Sequence, residues 1–298
     1  MDASIKSHAG YVAIVGRPNV GKSTLLNKIL GTKISITANK SQTTRHKIIG
    51  VKTVENFQTI YVDTPGIQKN ITNRLGSYMN QVALGVLNDV DVIVLIVVGN
   101  GWRNADELVL QIACRVKCPI ILAINKIDLI SQKNNLLSYI EKITTKYKFA
   151  ACVPLSAHTG DNLDALEKEV KKILPVNPFF FPTKQVTDRD INFLIAEIIR
   201  EKLTRFLGQE LPYVIAVVIN QLELNPLLVN ITATIYVERQ GQKVIIIGIG
   251  GERLKKIGML ARKDIENLFA RKVFLRLWVK IKSNWTRNKE LLRYLGYE

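Results

Sequence analysis

No stretch of this 298-residue chain has the apolar length a bilayer span requires. The longest, residues 92–98, falls far short of the ~20 residues of a membrane helix. The opening Met1-Asp2-Ala3-Ser4 begins no secretory signal. The expectation is a cytoplasmic protein, with peripheral contact at the cytoplasmic face of the inner membrane as the one membrane role left open. Cysteine is scarce: Cys114, Cys118 and Cys152 fit no zinc spacing. Cys114 and Cys118, four residues apart, read as core packing on one face of an expected helix, and all three as reduced and chemically silent. Internal repeats and low-complexity segments are absent, which excludes solenoid and disordered architectures. Acidic residues are few, 25 against 42 Lys and Arg, for a net charge of +17. Between residues 239 and 293 there are 15 basic residues against four acidic ones (Glu252, Asp264, Glu266, Glu290), a net of +11. A C-terminal excess of that size points to a polyanionic partner, nucleic acid or anionic lipid.

The length allows about two domains, each able to bury a core. The first part alternates β-branched runs with helical patterns: residues 11–15, 59–62, 90–98, 119–124 and 151–155 read as buried parallel strands joined by crossover helices. Ligands of such a sheet bind beyond the carboxyl ends of the strands. A helix over residues 163–174 precedes Pro175-Val176-Asn177-Pro178-Phe179-Phe180-Phe181-Pro182, whose three prolines cannot continue it. Beyond lie an amphipathic pattern over residues 190–207 and strand-like runs at 213–222 and 228–238. The expected division is a first domain over residues 1–175, a linker over 176–186 and a second domain over 187–298.

Gly16-Arg17-Pro18-Asn19-Val20-Gly21-Lys22-Ser23 fits the pattern G-x-x-x-x-G-K-[ST], directly after an apolar run and before a helical one. Glycines let backbone N–H groups turn inward around phosphate oxygens, the helix aims its positive end at them, and Lys22 adds a mobile charge. Gly16, Asn19, Val20, Gly21, Lys22, Ser23 and Thr24 are therefore the expected phosphate-binding residues, with Ser23 also a ligand of Mg²⁺. Asn125-Lys126-Ile127-Asp128 resembles the N-K-x-D element of guanine nucleotide-binding proteins. A buried carboxylate at Asp128 would accept the N1–H and exocyclic amine of guanine, a donor pair adenine lacks, and Lys126 would lay its stem on the ring. Ser156-Ala157 resembles the S-A-K loop of the same proteins, placing the Ala157 N–H at the guanine O6, with His158 where lysine is usual.

Asp63-Thr64-Pro65-Gly66 resembles the D-x-x-G element, in which Asp63 would hold Mg²⁺ through water and the Gly66 N–H would sense the γ-phosphate. In the loop Gln42-Thr43-Thr44-Arg45-His46 one threonine should complete the Mg²⁺ shell; Thr44, which precedes the basic residue, is favoured over Thr43. The residue after D-x-x-G is Ile67, which cannot orient water, and Gln68 comes one position late. Slow intrinsic hydrolysis is expected. Asn19 offers a substitute, because similar GTPases use an asparagine there to hold K⁺ beside the phosphates. Lys22, Thr44, Gly66 and Asn19 are thus the expected catalytic groups, with GTP or GDP, Mg²⁺ and K⁺ as cofactors.

Near the C-terminus, Gly248-Ile249-Gly250-Gly251 is a G-x-x-G turn followed by a basic helical pattern from Glu252 to Phe269 and a final strand over residues 273–281. Together with the motifs above and the segments at 197–203 and 295–297, it makes the chain resemble the Era family of bacterial GTPases over nearly its whole length. The resemblance implies a Ras-like α/β P-loop GTPase domain with a mostly parallel sheet, then a smaller α+β KH domain of type II. It further implies binding to small-subunit (16S) ribosomal RNA and a role, as a monomer, in small-subunit assembly. The RNA would be clamped by Gly248, Ile249, Gly250 and Gly251, with Arg253, Lys255 and Lys256 supplying charge, since no basic residue stands between the glycines. Residues 243–247 read as strand by propensity, but the KH topology makes them a short helix. Trp278 and Trp285 could stack bases, although Trp278, in an alternating strand, reads as core. A membrane GTPase carrying a basic surface is the alternative, and the glycine turn favours RNA.

Overall fold

The structure, a computed structural model, describes residues 6–38, 40, 43–67, 74–130, 133–208 and 211–297. The readings made at Gln42 and Gln68 lie outside the described residues. Two compact units emerge: residues 1–35, 44–70 and 79–188, and residues 36–43, 71–78 and 189–298, in their described parts.

The first unit runs β1 (His8–Val15), α1 (Lys22–Leu30), β2 (Ile48–Val54), β3 (Phe57–Asp63), α2 (Arg74–Leu87), β4 (Val92–Val98), α3 (Asn104–Ala113), β5 (Ile120–Asn125), α4 (Lys133–Thr144), β6 (Ala151–Pro154) and α5 (Leu163–Ile173). The six strands pair in the order β2-β3-β1-β4-β5-β6. Only β2 runs antiparallel, against β3. Every residue of the Val/Ile/Leu run in β4 is buried, as a parallel strand covered on both faces must be. Val86 and Leu87 of α2, Val109 and Leu110 of α3 and Ile143 of α4 fill one core with Leu95, Val97 and Leu122. Leu163, Leu166 and Val170 form the buried stripe of α5.

The expected linker is stitched to this unit. Ala9 N donates to Pro175 O (3.2 Å), Asn177 N to Ser7 O (3.2 Å) and Val51 N to Val186 O (2.8 Å). The buried Gln58 amide accepts from Phe180 N and Phe181 N and donates to Phe181 O. Prolines remove donors from this segment, and Gln58 satisfies two of those that remain.

The second unit comprises α6 (Ile191–Phe206), β7 (Ala216–Leu224), β8 (Leu228–Val237), α7 (Gln240–Ile247), α8 (Glu252–Phe269), β9 (Lys272–Ile281) and α9 (Lys289–Tyr294). Its sheet has the order β7-β8-β9, with β8 and β9 parallel. Ile195, Ile199 and Leu203 of α6 and Ile257, Ala261 and Ile265 of α8 recur at fourfold spacing and share a core with Val229, Ile231 and Ile235 of β8. Asp190 caps α6, its side chain accepting from Phe193 N at 2.7 Å. Residues 240–247 do form a helix: burying Ile246 in the core outweighs their β propensity.

The other face of α6 is buried and polar, with Glu197, Arg200, Glu201, Lys202 and Thr204. Arg200 pairs with Glu197 through two 2.6 Å bonds and donates to Thr43 O at 2.5 Å. Burial alone would lower the Arg200 pKa, but Glu197 more than offsets it and the guanidinium is held charged. Arg205 pairs with Glu201 and donates to Thr37 O, and Lys40 donates to Leu207 O. These bonds tie Thr37, Lys40 and Thr43 to α6 and its end in the second unit.

The cysteines depart from expectation. Helix α3 ends at Ala113, leaving Cys114 exposed and Cys118 beyond a turn, so the two share no helix face. Burial raises the pKa of all three thiols, which keeps them protonated.

Candidate functional site

The turn between β1 and α1 winds back on itself through two left-handed residues, Asn19 (φ 64) and Gly21 (φ 106). A Cβ at Gly21 would lie 2.3 Å from Asn125 Nδ2, so glycine is required by conformation and by space. Lys22, buried, folds back to donate to Gly16 O (2.9 Å) and Arg17 O (3.0 Å). Desolvation lowers its pKa to about 8, with Asp63 opposing the shift and Arg17 adding to it. An ammonium so poorly solvated gains strongly from an arriving anion. Val20 is buried and Thr24 sits in the first turn of α1.

Ser23, Thr44 and Asp63, far apart in sequence, meet at one corner. Ser23 Oγ donates to Asp63 Oδ2 at 2.7 Å and lies 2.8 Å from Thr44 Oγ1, which is 3.4 Å from the same carboxylate oxygen. Ser35 Oγ adds a third bond to Oδ2, at 2.9 Å. Asp63 Oδ1 is buried and has no hydrogen-bond partner among the described residues. One spare carboxylate oxygen beside hydroxyls fits a hard cation that takes few protein ligands and completes its shell from phosphate and water, as Mg²⁺ does. No group of three or more His, Cys, Asp or Glu side chains gathers among the described residues, so the corner fits no all-protein metal cage. Thr43 points elsewhere, its hydroxyl donating to Lys40 O. Gly66 abuts Pro18 of the phosphate turn, and Thr64 Oγ1 donates to Ile14 O. Ile67 is buried in the core that holds Val86 of α2 and Val109 of α3.

The elements expected to read the base close around Asn125. Its Nδ2 donates to Val20 O (2.7 Å), while its Oδ1 accepts from Lys126 N (2.7 Å) and Ala157 N (2.9 Å). Lys126, itself left-handed (φ 65), donates from Nζ to Asn19 O. Ser156 Oγ donates to Asp128 Oδ1 at 2.6 Å. Two expectations need correction. Asp128 is exposed, not buried: it stands on a short turn after β5, held there by the bond from Ser156. The Ala157 N–H, expected at guanine O6, is engaged by Asn125. His158 is exposed.

Sequence reasoning missed three contributors. Ser35 supports Asp63, and Asn27 holds the Ser35 loop through bonds to Ile34 N, Ser35 N and Ser35 O. Arg17 of the phosphate turn pairs with Asp106 of α3, its Nε 3.1 Å from both carboxylate oxygens, and Asp106 also accepts from Arg103 N. Ser, Asn and Asp at these positions belong to no pattern that the sequence displays.

In the second unit, Gly250 (φ 58) and Gly251 (φ 80) turn the chain between α7 and α8, and added side-chain carbons there would meet nothing within 4 Å. Ile249 at the tip is 94% exposed. A groove of about 450 Å³ begins at Gly251 and runs between α8, with Lys255, Met259 and Arg262, and β9, with Phe274. Its apolar floor and basic rim suit unstacked bases and phosphates. Arg253, expected to supply charge, is exposed and donates to Ile245 O at 2.5 Å, closing the end of α7. Lys256 lies 5.4 Å from the Phe206 ring centroid. The tryptophans reverse their expected roles. Trp285 is fully buried, donating to Val214 O and stacked on Tyr297, so it cannot meet a base. Trp278, expected in the core, is 53% exposed. No helix among the described residues is long and apolar enough to cross a membrane.

Residues 11–126 match a family described as 50S ribosome-binding GTPase and residues 210–286 a KH domain. The chain is 51% identical over 296 residues to GTPase Era of Pseudomonas aeruginosa, covering 99% of this chain and 97% of that one. It is 50% identical over 292 residues to GTPase Era of Coxiella burnetii, covering 98% and 99%. Among solved structures, Era in complex with MgGDPNP and nucleotides 1506–1542 of 16S ribosomal RNA superposes with a TM-score of 0.94 at 43% identity, over 98% of this chain and 99% of that one. Aquifex aeolicus Era bound to GDP·AlF4⁻ gives the same TM-score and identity, over 97% and 99%.

Proposed function

The chain belongs to the Era family of GTPases, and from that membership and the geometry above we propose that it couples GTP hydrolysis to a KH-domain grip on small-subunit ribosomal RNA during subunit assembly. It is an enzyme that converts GTP and water to GDP and phosphate, and it binds GTP and GDP with Mg²⁺. The observation that carries the coupling is the presence, in one chain, of a triphosphate site and a G-x-x-G groove, with a relative solved on both ligands at once.

The triphosphate enters the N–H cradle of residues 16–24, and Lys22 exchanges its two carbonyl acceptors for phosphate oxygens. Ser23, Thr44 and Asp63 would hold Mg²⁺, which neutralises charge on the β- and γ-phosphates when bound. Thr44 and Gly66 belong to loops that the γ-phosphate orders and hydrolysis releases. With Ile67 turned into the core, water orientation falls to other groups, and Asn19 at the lip of the phosphate turn is the residue we assign to a K⁺ ion. Equal GTPase rates in Na⁺ and K⁺ buffers, with and without RNA, would remove that assignment. Lys126 and Asp128 read the base; Asp128, exposed in the free protein, is desolvated only once guanine covers it. The Ala157 N–H reaches O6 only by sharing or leaving Asn125 Oδ1.

In the second unit, the turn from Gly248 to Gly251 clamps the RNA backbone while Lys255 and Lys256 meet phosphate. The site of action is the cytoplasm, where ribosomal precursors mature. Filter binding of a labelled 3′-terminal 16S fragment tests the reading. Tighter retention with a GTP analogue than with GDP is expected, and no retention at low ionic strength in either state sinks it.

A further inference from the structure

The outer face of the second unit's sheet has no part in the function so far described, yet its chemistry is unusual. Strand β9 is an edge strand whose residues alternate strictly between faces. Val273, Leu275, Leu277 and Val279 pack into the helical core. The opposite phase reads Lys272, Phe274, Arg276, Trp278, Lys280, then Lys282 just beyond the strand: cation and aromatic in turn. Phe274 is 51% and Trp278 53% exposed, although each is a large apolar ring. Neighbours on the same face are small or polar. The register places Thr234 and Val218 beside Trp278, Thr232 and Gln221 beside Arg276, and Asn230 and Glu223 beside Phe274. The two rings therefore stand above the sheet rather than lying within a packed layer. The Arg276 guanidinium lies 5.6 Å from the Phe274 centroid, and Lys282 Nζ 3.9 Å from the Tyr294 ring.

We propose that this face is a second RNA-binding surface, on which a single strand leaving the glycine-turn groove stacks bases on Phe274 and Trp278 and sets its phosphates against Arg276, Lys280 and Lys282. The proposal rests on the reading that the second unit binds RNA. Three observations carry it. Side chains on one face of a strand recur about every 6.8 Å, roughly twice the 3.4 Å rise of a stacked nucleic-acid strand. Phe274 and Trp278, four residues apart, therefore stand about 13.6 Å apart along the strand, which leaves room for unstacked bases with the Arg276 side chain between the rings. Exposed rings interleaved with cations form a stacking platform that any base can use. Phe274 lines the groove that starts at Gly251 and also heads the outer stripe, so groove and stripe are continuous at that residue. A clamp for about four nucleotides then becomes a longer track. Anionic lipid would satisfy the cations, but it gives no reason for rings and charges to alternate at this interval.

The experiment uses the full chain and fluorescence anisotropy with two labelled single-stranded RNAs, one of about four nucleotides and one about three times as long. The Trp278→Ala variant should bind the long RNA about fivefold or more weakly, with affinity for the short RNA and GTPase rate unchanged. Arg276→Glu/Lys280→Glu should weaken the long RNA likewise and reduce the salt dependence of its binding. Full affinity of Trp278→Ala for the long RNA, while Gly251→Asp abolishes it, overturns the outer surface and leaves the groove intact. Equal weakening for short and long RNA assigns the effect to the fold and also overturns it. So does loss of binding to vesicles of mixed anionic and neutral phospholipid with RNA binding unchanged. Failure of the unaltered protein to bind either RNA strikes instead at the underlying reading.

Discussion

Replacing Asp106 should damage the phosphate turn from outside it. The carboxylate is fully buried, while the Arg17 side chain it pairs with keeps 12% of its exposure. Breaking a buried pair by removing one partner costs about 3–5 kcal/mol, because the remaining charge is stranded. The modest solvent access of Arg17 places Asp106→Ala at roughly 2–4 kcal/mol of that range. Loss of the bond from Arg103 N at the start of α3 adds about 1 kcal/mol. The sum, on the order of 3–5 kcal/mol, should lower the urea midpoint by about 1.5–2.5 M for an m-value near 2 kcal/mol/M. GTP affinity should fall as well, since Arg17 O is one of the two carbonyls that hold Lys22 in the free site. A double-mutant cycle separates pairing from packing. Arg17→Met/Asp106→Leu should be less destabilised than Asp106→Leu alone, giving a coupling energy above about 1.5 kcal/mol. Unfolding of Asp106→Ala within about 0.5 kcal/mol of the parent, or strict additivity in the cycle, refutes the reasoning.

Asp128→Asn should weaken GTP by roughly ten- to a hundredfold, about the value of one or two charge-assisted hydrogen bonds, and improve xanthosine triphosphate by competition assay; retained guanine preference removes Asp128 from base reading. Gly251→Asp places a negative side chain at φ 80 beside the groove and should cut RNA affinity at least tenfold, with GTP affinity unchanged by calorimetry. Trp285→Ala loses a fully buried ring and its bond to Val214 O and should cost about 3–5 kcal/mol in denaturant unfolding; a change below about 1 kcal/mol contradicts the packing described.

The nucleotide elements were legible because each couples a fixed spacing to a strand end, and the first-unit strands kept their places within a few residues. Strand β2 went unread, since its edge position and partial exposure leave no continuous apolar run. The Arg17–Asp106 pair joins residues 89 apart and has no local signature. Trp278 was misread for a definite reason: β9 carries apolar side chains on both phases, so alternation was plain but its phase was not. Core packing chose the aliphatic phase, Val273 to Val279, and left the aromatic one outside. Residues 243–247 show the converse, where β-branched character yielded to a helix that buries Ile246 and leaves Val244 and Ile245 at the surface. Asp128 shows a third limit: its motif points to base reading, and only the structure revealed a solvent-facing carboxylate.

Asn125 has the widest consequence for how the protein discriminates among nucleotides. One amide braces the turn we assign to the phosphates and the two loops we assign to the purine. A mismatched ring therefore forfeits more than its own contacts, because whatever strain it places on that amide is passed to the cradle beneath. Selection should then be felt as residence time: the wrong nucleotide departs early, tail and ring together, instead of lingering as a bound but idle occupant.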